Sequence, residues 1–490
     1  MRRIVVCLIV GAFLLLVPAC SRESRRPNVI LIVLDTLRAD HLGCYGYERP
    51  TSPNIDRLAT ESVVYEQAIS TAPWTFPSHA TLFTGLLPSH HHAHHEHLKL
   101  AAEQTTVAER LAEAGYETVG FCNNPWITEQ LGMTQGFERF DEVWRDKVSR
   151  GTFDINIFVE PELHGIEDAG AATTLEELER WLDGRESSRP FFLFVNLIEP
   201  HTYFDPPRDY RNRFLERSLT RDDVQRENVD FIDRAYADGL DASLLERIRA
   251  LYDGEIAYVD DWIGRFTGLL EQKDLLDASL LIVTSDHGEA FAEHRRCGLP
   301  LIDHQLSLYR ELLDVPLIVR YPAGRGLRVA NGTRVDAPVS TVDLVPTIID
   351  VVGLVADDGL DGFSLAAGPP EEGRLLVAEY YRPIVHLGLL YNHVQETETL
   401  NCLASRRIVS VQSGDRKLIV GGRDDPPLFF DHATDPFELA PREPGSSPED
   451  RRLFETAEET MAAMNRGPEL APPTLDEAWR KTMQSLGYVQ

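Results

Sequence analysis

The segment Pro27-Asn28-Val29-Ile30-Leu31-Ile32-Val33-Leu34-Asp35-Thr36 decides the fold. Val29 to Leu34 is apolar without interruption and stops at the carboxylate of Asp35. A half-exposed strand would alternate; an unbroken apolar run reads as a strand buried on both faces, as in a parallel sheet covered by helices. Working outward, the same signal returns at Thr118 to Cys122, Phe191 to Leu197, Leu280 to Thr284 and Val315 to Arg320. Helical signals lie between. Ser52 and Pro53 cap and open a helix to about Thr60. Pro77 to Phe83 is stopped by Gly85, and Thr106 to Ala114 is closed by Gly115. Ile248, Tyr252, Ile256, Val259, Ile263, Phe266 and Leu270 keep the spacing of one long amphipathic helix, and Val342 to Val352 reads as another. Strands alternating with helices predict an α/β fold, a mostly parallel sheet with helices on both faces. In such a sheet the ligand site forms beyond the carboxyl ends of the strands. Asp35 and the pair Asp286-His287 both follow a strand end directly.

The chain has 490 residues, 43% of them hydrophobic, enough for a large core and more than one domain. Its net charge of −30 argues against nucleic acid as a partner, which requires a basic footprint. Around Asp358 to Glu372 the composition turns to Gly, Pro and acid. That change divides a domain of residues 27–365 from a small C-terminal α+β domain of residues 366–490. The latter is read with short strands at Arg407 to Gln412 and Lys417 to Val420 and a helix near Asp450 to Asn465. Residues 200–245 are charged and aromatic with little periodicity and read as an insertion near the site.

At the amino end, Arg2 and Arg3 precede an apolar stretch, Ile4 to Val17, too short for a comfortable membrane span. Val17-Pro18-Ala19-Cys20 then resembles a bacterial lipobox, in which the cysteine becomes the lipidated terminus; the alternative is an ordinary cleaved signal peptide. Residues 1–20 are therefore expected to be a lipoprotein signal peptide and 21–26 a polar tether. This predicts a lipid anchor on Cys20 and a place in the bacterial cell envelope, facing the periplasm or on the outer membrane. Export permits disulfides among Cys44, Cys122, Cys297 and Cys402, but their wide spacing fixes no pairing.

Two short segments carry chemistry. In Thr284-Ser285-Asp286-His287-Gly288-Glu289, a carboxylate and an imidazole on neighbouring loop residues can share one metal, with Gly288 allowing a sharp backbone turn. The competing reading has Asp286 capping a following helix. In Pro73-Trp74-Thr75-Phe76-Pro77-Ser78-His79, a hydroxyl stands just ahead of a helix N-terminus, where free N–H groups and the helix dipole attract an anion. A Thr hydroxyl attacks an ester only when a base or metal promotes its alkoxide. A cation held by Asp35, Asp286 and His287 would do that and polarise the ester oxygens. The competing reading has Thr75 as a helix cap only.

Val33-Leu34-Asp35-Thr36-Leu37-Arg38-Ala39-Asp40-His41-Leu42-Gly43-Cys44-Tyr45-Gly46 resembles the opening metal motif of the sulfatase family. Pro77-Ser78-His79-Ala80-Thr81-Leu82-Phe83-Thr84-Gly85 is similar to its nucleophile helix, and Tyr252-Asp253-Gly254-Glu255-Ile256-Ala257-Tyr258-Val259-Asp260-Asp261 to its central helix. Ser285-Asp286-His287-Gly288-Glu289, Leu312-Leu313-Asp314-Val315-Pro316-Leu317-Ile318-Val319 and Val342-Asp343-Leu344-Val345-Pro346-Thr347 follow in the same order. The resemblance runs from about Pro27 to Leu365. It implies an alkaline-phosphatase-like fold and a metal-dependent hydrolase of sulfate or phosphate esters. The departures are specific. Typical sulfatases carry a Cys or Ser, converted to formylglycine, within Cys/Ser-x-Pro-x-Arg; here Thr75 and His79 hold the first and last of those places. Thr36 stands where a second metal-binding Asp is usual, and Asn123 where a sulfate-binding Lys is expected. An unmodified Thr instead resembles the phosphoethanolamine and glycerol-phosphate transferases and the nucleotide phosphodiesterases of the superfamily, which imply a phospho-Thr intermediate.

The expected arrangement is one divalent cation (calcium, manganese or zinc) on Asp35, Asp286 and His287, with Thr75 as nucleophile and fourth ligand. His79, Asn123, Asn124, His201 and His304 are expected to position the substrate. His201 and His304 would contact the ester oxygens or protonate the leaving group; alternatively, with Asp205, they would hold a second metal. The six histidines between His90 and His97 read as a solvated loop below the nucleophile helix. The substrate is expected to be a small-molecule, glycan or lipid ester. Two other functions stay open: a transferase of phospho-substituents in the cell envelope, and an inactive binding protein that retains the fold.

Overall fold

The computed structural model describes residues 26–466 apart from 145–167, 186–187, 238, 305, 325–326, 356–357, 383–398, 400–401, 403–406, 422–425 and 446. The signal segment and Cys20 lie outside the described residues. Among the described residues no helix is long and apolar enough to cross a membrane.

The run that opened the sequence is the centre of the molecule. Strand β1 (Asn28–Leu34) lies between β5 (Phe191–Leu197) and β6 (Ser279–Thr284), parallel to both, with Val29 opposite Phe192 on one side and Leu280 on the other. The sheet continues through β3 (Glu117–Cys122) and β4 (Arg139–Glu142) beyond β5. Beyond β6 come β9 (Asp314–Arg320), β2 (Val63–Ile69) and the short β10 (Arg334–Val335), with β11 (Val339–Ser340) also on β2. Only β9 runs against its neighbours. The chain leaves β6, makes the hairpin β7 (Ala290–Arg296) and β8 (Leu299–Asp303) at the carboxyl end of the sheet, and returns without a helical crossover, which fixes an antiparallel pairing.

Val29 to Leu34 is apolar throughout because each face of β1 is buried in a different core. Val29, Leu31 and Val33 pack with Phe76, Phe83 and Ile348. Ile30, Ile32 and Leu34 pack with Leu251, Ile256 and Ile263 of the long helix Ala242–Gln272. The helix Val107–Glu113 starts with a capping box between Thr106 and Glu109. The helix Pro53–Thr60 has its proline in the first turn as expected, but Ser52 does not cap it; the hydroxyl bonds Asp56 Oδ1 at 3.0 Å and accepts from Gly43 N at 2.9 Å.

The insertion contains the helix Arg221–Tyr236, capped by Thr220 and Asp223. Its buried face holds Val224, Phe231 and Ala235 together with Glu227 and Asn228, so polar side chains interrupt the apolar period that sequence reading needs. At the C-terminal end, β12 (Leu376–Tyr380), β13 (Ile408–Ser413), β14 (Arg416–Val420) and β15 (Leu428–Asp431) form an antiparallel sheet covered by the helix Pro448–Met464. A disulfide joins Cys297, in the β7–β8 turn, to Cys402, 105 residues away in sequence. Cys44 and Cys122 are free.

Candidate active site

Parallel pairing levels the carboxyl ends of β1, β5 and β6. The Asp35 amide donates to Leu197 O at 2.9 Å, which carries the chain straight from β1 into the site. Asp286, two residues past β6, accepts from the amides of Thr36 at 3.3 Å and His287 at 3.0 Å through Oδ1. Its carbonyl accepts from the hydroxyls of Ser78, at 2.6 Å, and Ser70. A loop and a strand follow Asp286, so it caps no helix. Gly288 does not serve through a left-handed turn. It is required by close approach: a Cβ there would stand 2.0 Å from Glu311 O.

Asp35 Oδ1 and Asp286 Oδ2 are buried without a hydrogen-bond partner among the described residues. They face His287 Nε2 at 3.7 and 3.4 Å. His287 Nδ1 lies 3.0 Å from Gly288 O, a contact made by the tautomer that leaves the Nε2 lone pair pointing at the two carboxylates. Three acceptors converging in a buried space, with no donor between them, fit a divalent cation. Without a cation the three resist charging. Burial pushes Asp35 up to about 7. It also holds Asp286 well above the carboxylate range, with Asp35 adding repulsion, and His287 well below the usual imidazole range.

Thr75 opens the helix Thr75–Thr84, and Trp74 occupies the N-cap without a side-chain bond, so the Thr75 hydroxyl caps nothing. Its Oγ1 lies 3.5 Å from His287 Nε2 and 3.4 Å from Asn124 Nδ2. The Asn124 amide is oriented from both ends: Oδ1 accepts from Trp126 N at 2.8 Å and Nδ2 donates to Asp35 Oδ2 at 2.7 Å. Asn123 points the other way, exchanging hydrogen bonds of 3.1 and 3.3 Å with Thr174. Thr36 sits at φ 55, a rare conformation for a β-branched residue, and donates through Oγ1 to Pro200 O at 2.9 Å rather than facing the cluster.

His79 lies behind the cluster, fully buried. Its Nδ1 is 3.0 Å from Thr75 O and 3.4 Å from Asp286 Oδ2, and burial lowers its pKa to about 3, so it braces as a neutral ring. The His304 ring lies 4.6 Å from His287 and 4.7 Å from His201, centre to centre. Burial and the neighbouring His304 lower His201 to about 4. Burial works against charge on His304 too, but Asp303 and Glu289 outweigh it and raise His304 well above the usual range. Asp205 is paired with Arg211 and Arg221 instead of the histidines. Glu289 and Asp303 take that place, within 4.8 Å of His304 and of each other. Glu289 stood in the quoted motif without a role, and Asp303, beside His304 in the chain, gave no signal of its own, because only the β7–β8 hairpin brings the two to Glu289.

The histidine tract is not the solvated loop expected of it. His91, His94 and His95 are buried, not solvated. His95 stacks on Trp74 with ring centres 4.0 Å apart, His94 on Tyr381 at 3.5 Å, and His91 Nε2 lies 3.2 Å from Thr81 Oγ1. These three rings pack as aromatic filling, while His90 is exposed and pairs with Asp361.

A family model described as Sulfatase matches residues 27–354. The chain is 26% identical over 386 residues to an arylsulfatase of Clostridium perfringens, covering 69% of this chain and 78% of that protein. It is 25% identical over 481 residues to the multifunctional alkaline phosphatase superfamily protein PehA of Trinickia caryophylli, covering 85% and 91%. Among solved structures, the phosphonate monoester hydrolase of Agrobacterium radiobacter superposes with a TM-score of 0.66 at 25% identity, covering 90% of this chain and 96% of that one.

Proposed function

The chain belongs to the sulfatase family of the alkaline phosphatase superfamily and is an ester hydrolase of the sulfuric or phosphoric class; from that premise we propose that unmodified Thr75 is its nucleophile. The observation that carries this reading is the position of Thr75 Oγ1. It stands at a helix N-terminus, caps nothing, and borders the Asp35–Asp286–His287 cluster. A calcium, manganese or zinc ion on those three residues and Thr75 would supply Lewis acidity, favouring the Thr75 alkoxide and drawing charge from the ester oxygens.

The chain's own residues do the rest. Pro77 has no N–H and Ser78 N bonds Trp74 O, so the amides of Thr75 and Phe76 are the first-turn donors left for the incoming anion. Asn124 holds Asp35 and Thr75 in register through one amide group. Thr75, its hydroxyl proton released to solvent, attacks sulfur or phosphorus in line through Oγ1, the bond to the leaving alcohol breaks, and His304, carrying a proton between Asp303 and Glu289, gives it to the departing oxygen. Water then displaces the group from Thr75, its proton passing back to His304, and Thr75 is regenerated. Thr lacks the second hydroxyl of hydrated formylglycine, so release needs a second in-line attack. That favours phosphorus over sulfur and a phospho-Thr75 intermediate. By Cys20 we place the enzyme on an envelope membrane, acting on a small-molecule, glycan or lipid ester.

The experiment compares wild type, Thr75→Ser and Thr75→Ala on nitrophenyl sulfate, a phosphate monoester and a phosphodiester, with mass spectrometry of acid-quenched protein. The expected outcome is a phosphorylated Thr75 peptide in wild type and a loss of roughly a thousandfold or more in Thr75→Ala, with Thr75→Ser partly active. Undiminished turnover in Thr75→Ala refutes the assignment. Addition of an alcohol acceptor separates hydrolysis from transfer by the product formed.

A further inference from the structure

His304 stands on an unusual stretch of backbone. Among the described residues eight non-glycine positions have positive φ, and four of them, Ala292, Cys297, Asp303 and Leu306, lie on the hairpin β7–β8 or just beyond it. Asp303 at φ 67 and Leu306 at φ 71 bracket His304. A leucine rarely adopts that conformation, which persists only where surrounding contacts over-determine it. The central sheet gives no backbone pairing here: among the described residues, β7 and β8 form a two-stranded sheet of their own.

Restraint comes instead from the hairpin tip. Arg296 Nη1 donates to Leu306 O. Leu306, 6% exposed, packs with Leu301 against Cys297, Leu299 and Tyr309. Arg296 pairs with Leu299 across the tip, so the turn Cys297-Gly298 sets where its side chain starts. Both turn residues have positive φ, 51 and 84, a pattern for which Asn-Gly or Asp-Gly is usual. A cysteine takes the first place here, and its side chain is committed to the bond with Cys402.

We propose that the Cys297–Cys402 bond and Arg296 form a positioning device for His304. The bond fixes the hairpin tip, Arg296 carries that fix to Leu306 O, and the imidazole is thereby kept where it meets the leaving oxygen. This rests on the reading of His304 as the proton donor. Neither Arg296 nor the disulfide touches substrate; both act through His304. Proton donation matters most when the departing alkoxide is a strong base. Loss of position therefore tells on a poor leaving group and hardly on nitrophenolate. A dithiol reductant opens the bond: its two thiols become a disulfide, and two electrons and two protons pass to Cys297 and Cys402.

The test takes the full chain as wild type with and without dithiothreitol, Cys402→Ser, Arg296→Met and His304→Gln, each checked for folding by circular dichroism. Turnover is measured on the 4-nitrophenyl and phenyl esters of sulfate and phosphate in excess Mn2+. Amide hydrogen exchange is followed by mass spectrometry over residues 299–309, with 28–35 as reference. Reduced wild type, Cys402→Ser and Arg296→Met should lose roughly a hundredfold on the phenyl ester, the cost of misplacing a group by about 1 Å, and less than about threefold on the nitrophenyl ester. Exchange over 299–309 should rise in all three while 28–35 stays unchanged, and Cys402→Ser should not respond to dithiothreitol. His304→Gln should show the same split between the two esters. Unaltered exchange over 299–309 in reduced wild type and Arg296→Met overturns the device. So does the absence of a split in Cys402→Ser and Arg296→Met when His304→Gln shows one, and the proton-donor reading then stands. Equal losses on both esters in His304→Gln overturn the proton-donor reading, and with it the role given to the bond, even where exchange rises.

Discussion

Asp35→Asn is expected to stabilise the metal-free protein and weaken the metal-bound one. In the metal-free fold, burial pushes Asp35 from 3.8 up to about 7. An acid with a raised folded-state pKa contributes stability that is complete below its unfolded value and is lost as the pH climbs to the folded one. For Asp35 that loss, between about pH 4 and pH 7, amounts to about 4 kcal/mol. Asparagine has no charge to bury, and its Oδ1 can still accept from Asn124, which donates to Asp35 at 2.7 Å. Near pH 8 in chelator the variant should therefore exceed wild type by roughly 4 kcal/mol, with the gap closing near pH 4. A cation at a hundredfold over its dissociation constant reverses the order, adding about 2.7 kcal/mol to wild type and little to a variant that has lost a ligand. Urea unfolding near pH 4 and pH 8, in chelator and in excess Ca2+, Mn2+ or Zn2+, reads all these quantities. A variant less stable than wild type in chelator near pH 8, yet equally stabilised by the cation, refutes the convergence of Asp35 on a metal.

Two further outcomes follow from parts of the fold outside the cluster. Buried Glu438 accepts from Lys417 Nζ at 2.7 Å and His432 Nε2 at 2.7 Å, and although burial opposes its charge these partners hold it down at about 2. Its contribution is present above the ordinary glutamate value and is lost as the pH falls toward 2, so Glu438→Gln should cost about 3–5 kcal/mol near neutral pH by stranding Lys417, and much less near pH 3 in a denaturant titration. The Cys297–Cys402 bond closes a separation of 105 residues, so Cys297→Ser should lower unfolding stability by up to about 5 kcal/mol. Dithiothreitol should reproduce that loss in wild type and leave Cys297→Ser unchanged; a wild-type protein indifferent to reductant would refute a structural role for the bond.

The central strand, its two buried faces and the positions of Asp35, Asp286, His287 and Thr75 were legible in the sequence. Each is a local consequence: Asp35, Asp286 and His287 follow apolar runs whose parallel ends meet on one side of the sheet, and Thr75 opens a helix. The antiparallel course of β9 was not legible, because it depends on a hairpin that keeps the chain on one side of the sheet. Asn123 and Asn124 look alike in sequence, and only packing turns one to Thr174 and the other to Asp35. The histidine tract is polar by composition, and only tertiary packing stacks His95 on Trp74 and His94 on Tyr381 out of solvent. Asp205, close to His201 in sequence, is taken by two arginines, while Asp303, next to His304 in the chain, is brought with it to Glu289 by the β7–β8 pairing. Sequence by itself determined which residues stand at the ends of buried strands, because burial and strand termination are written residue by residue. Tertiary structure alone decided which side chains share a charge, because hydrogen-bond partners and ligand sets come from elements that strand pairing and packing bring together, as Asn123 meets Thr174 and Asn124 meets Asp35.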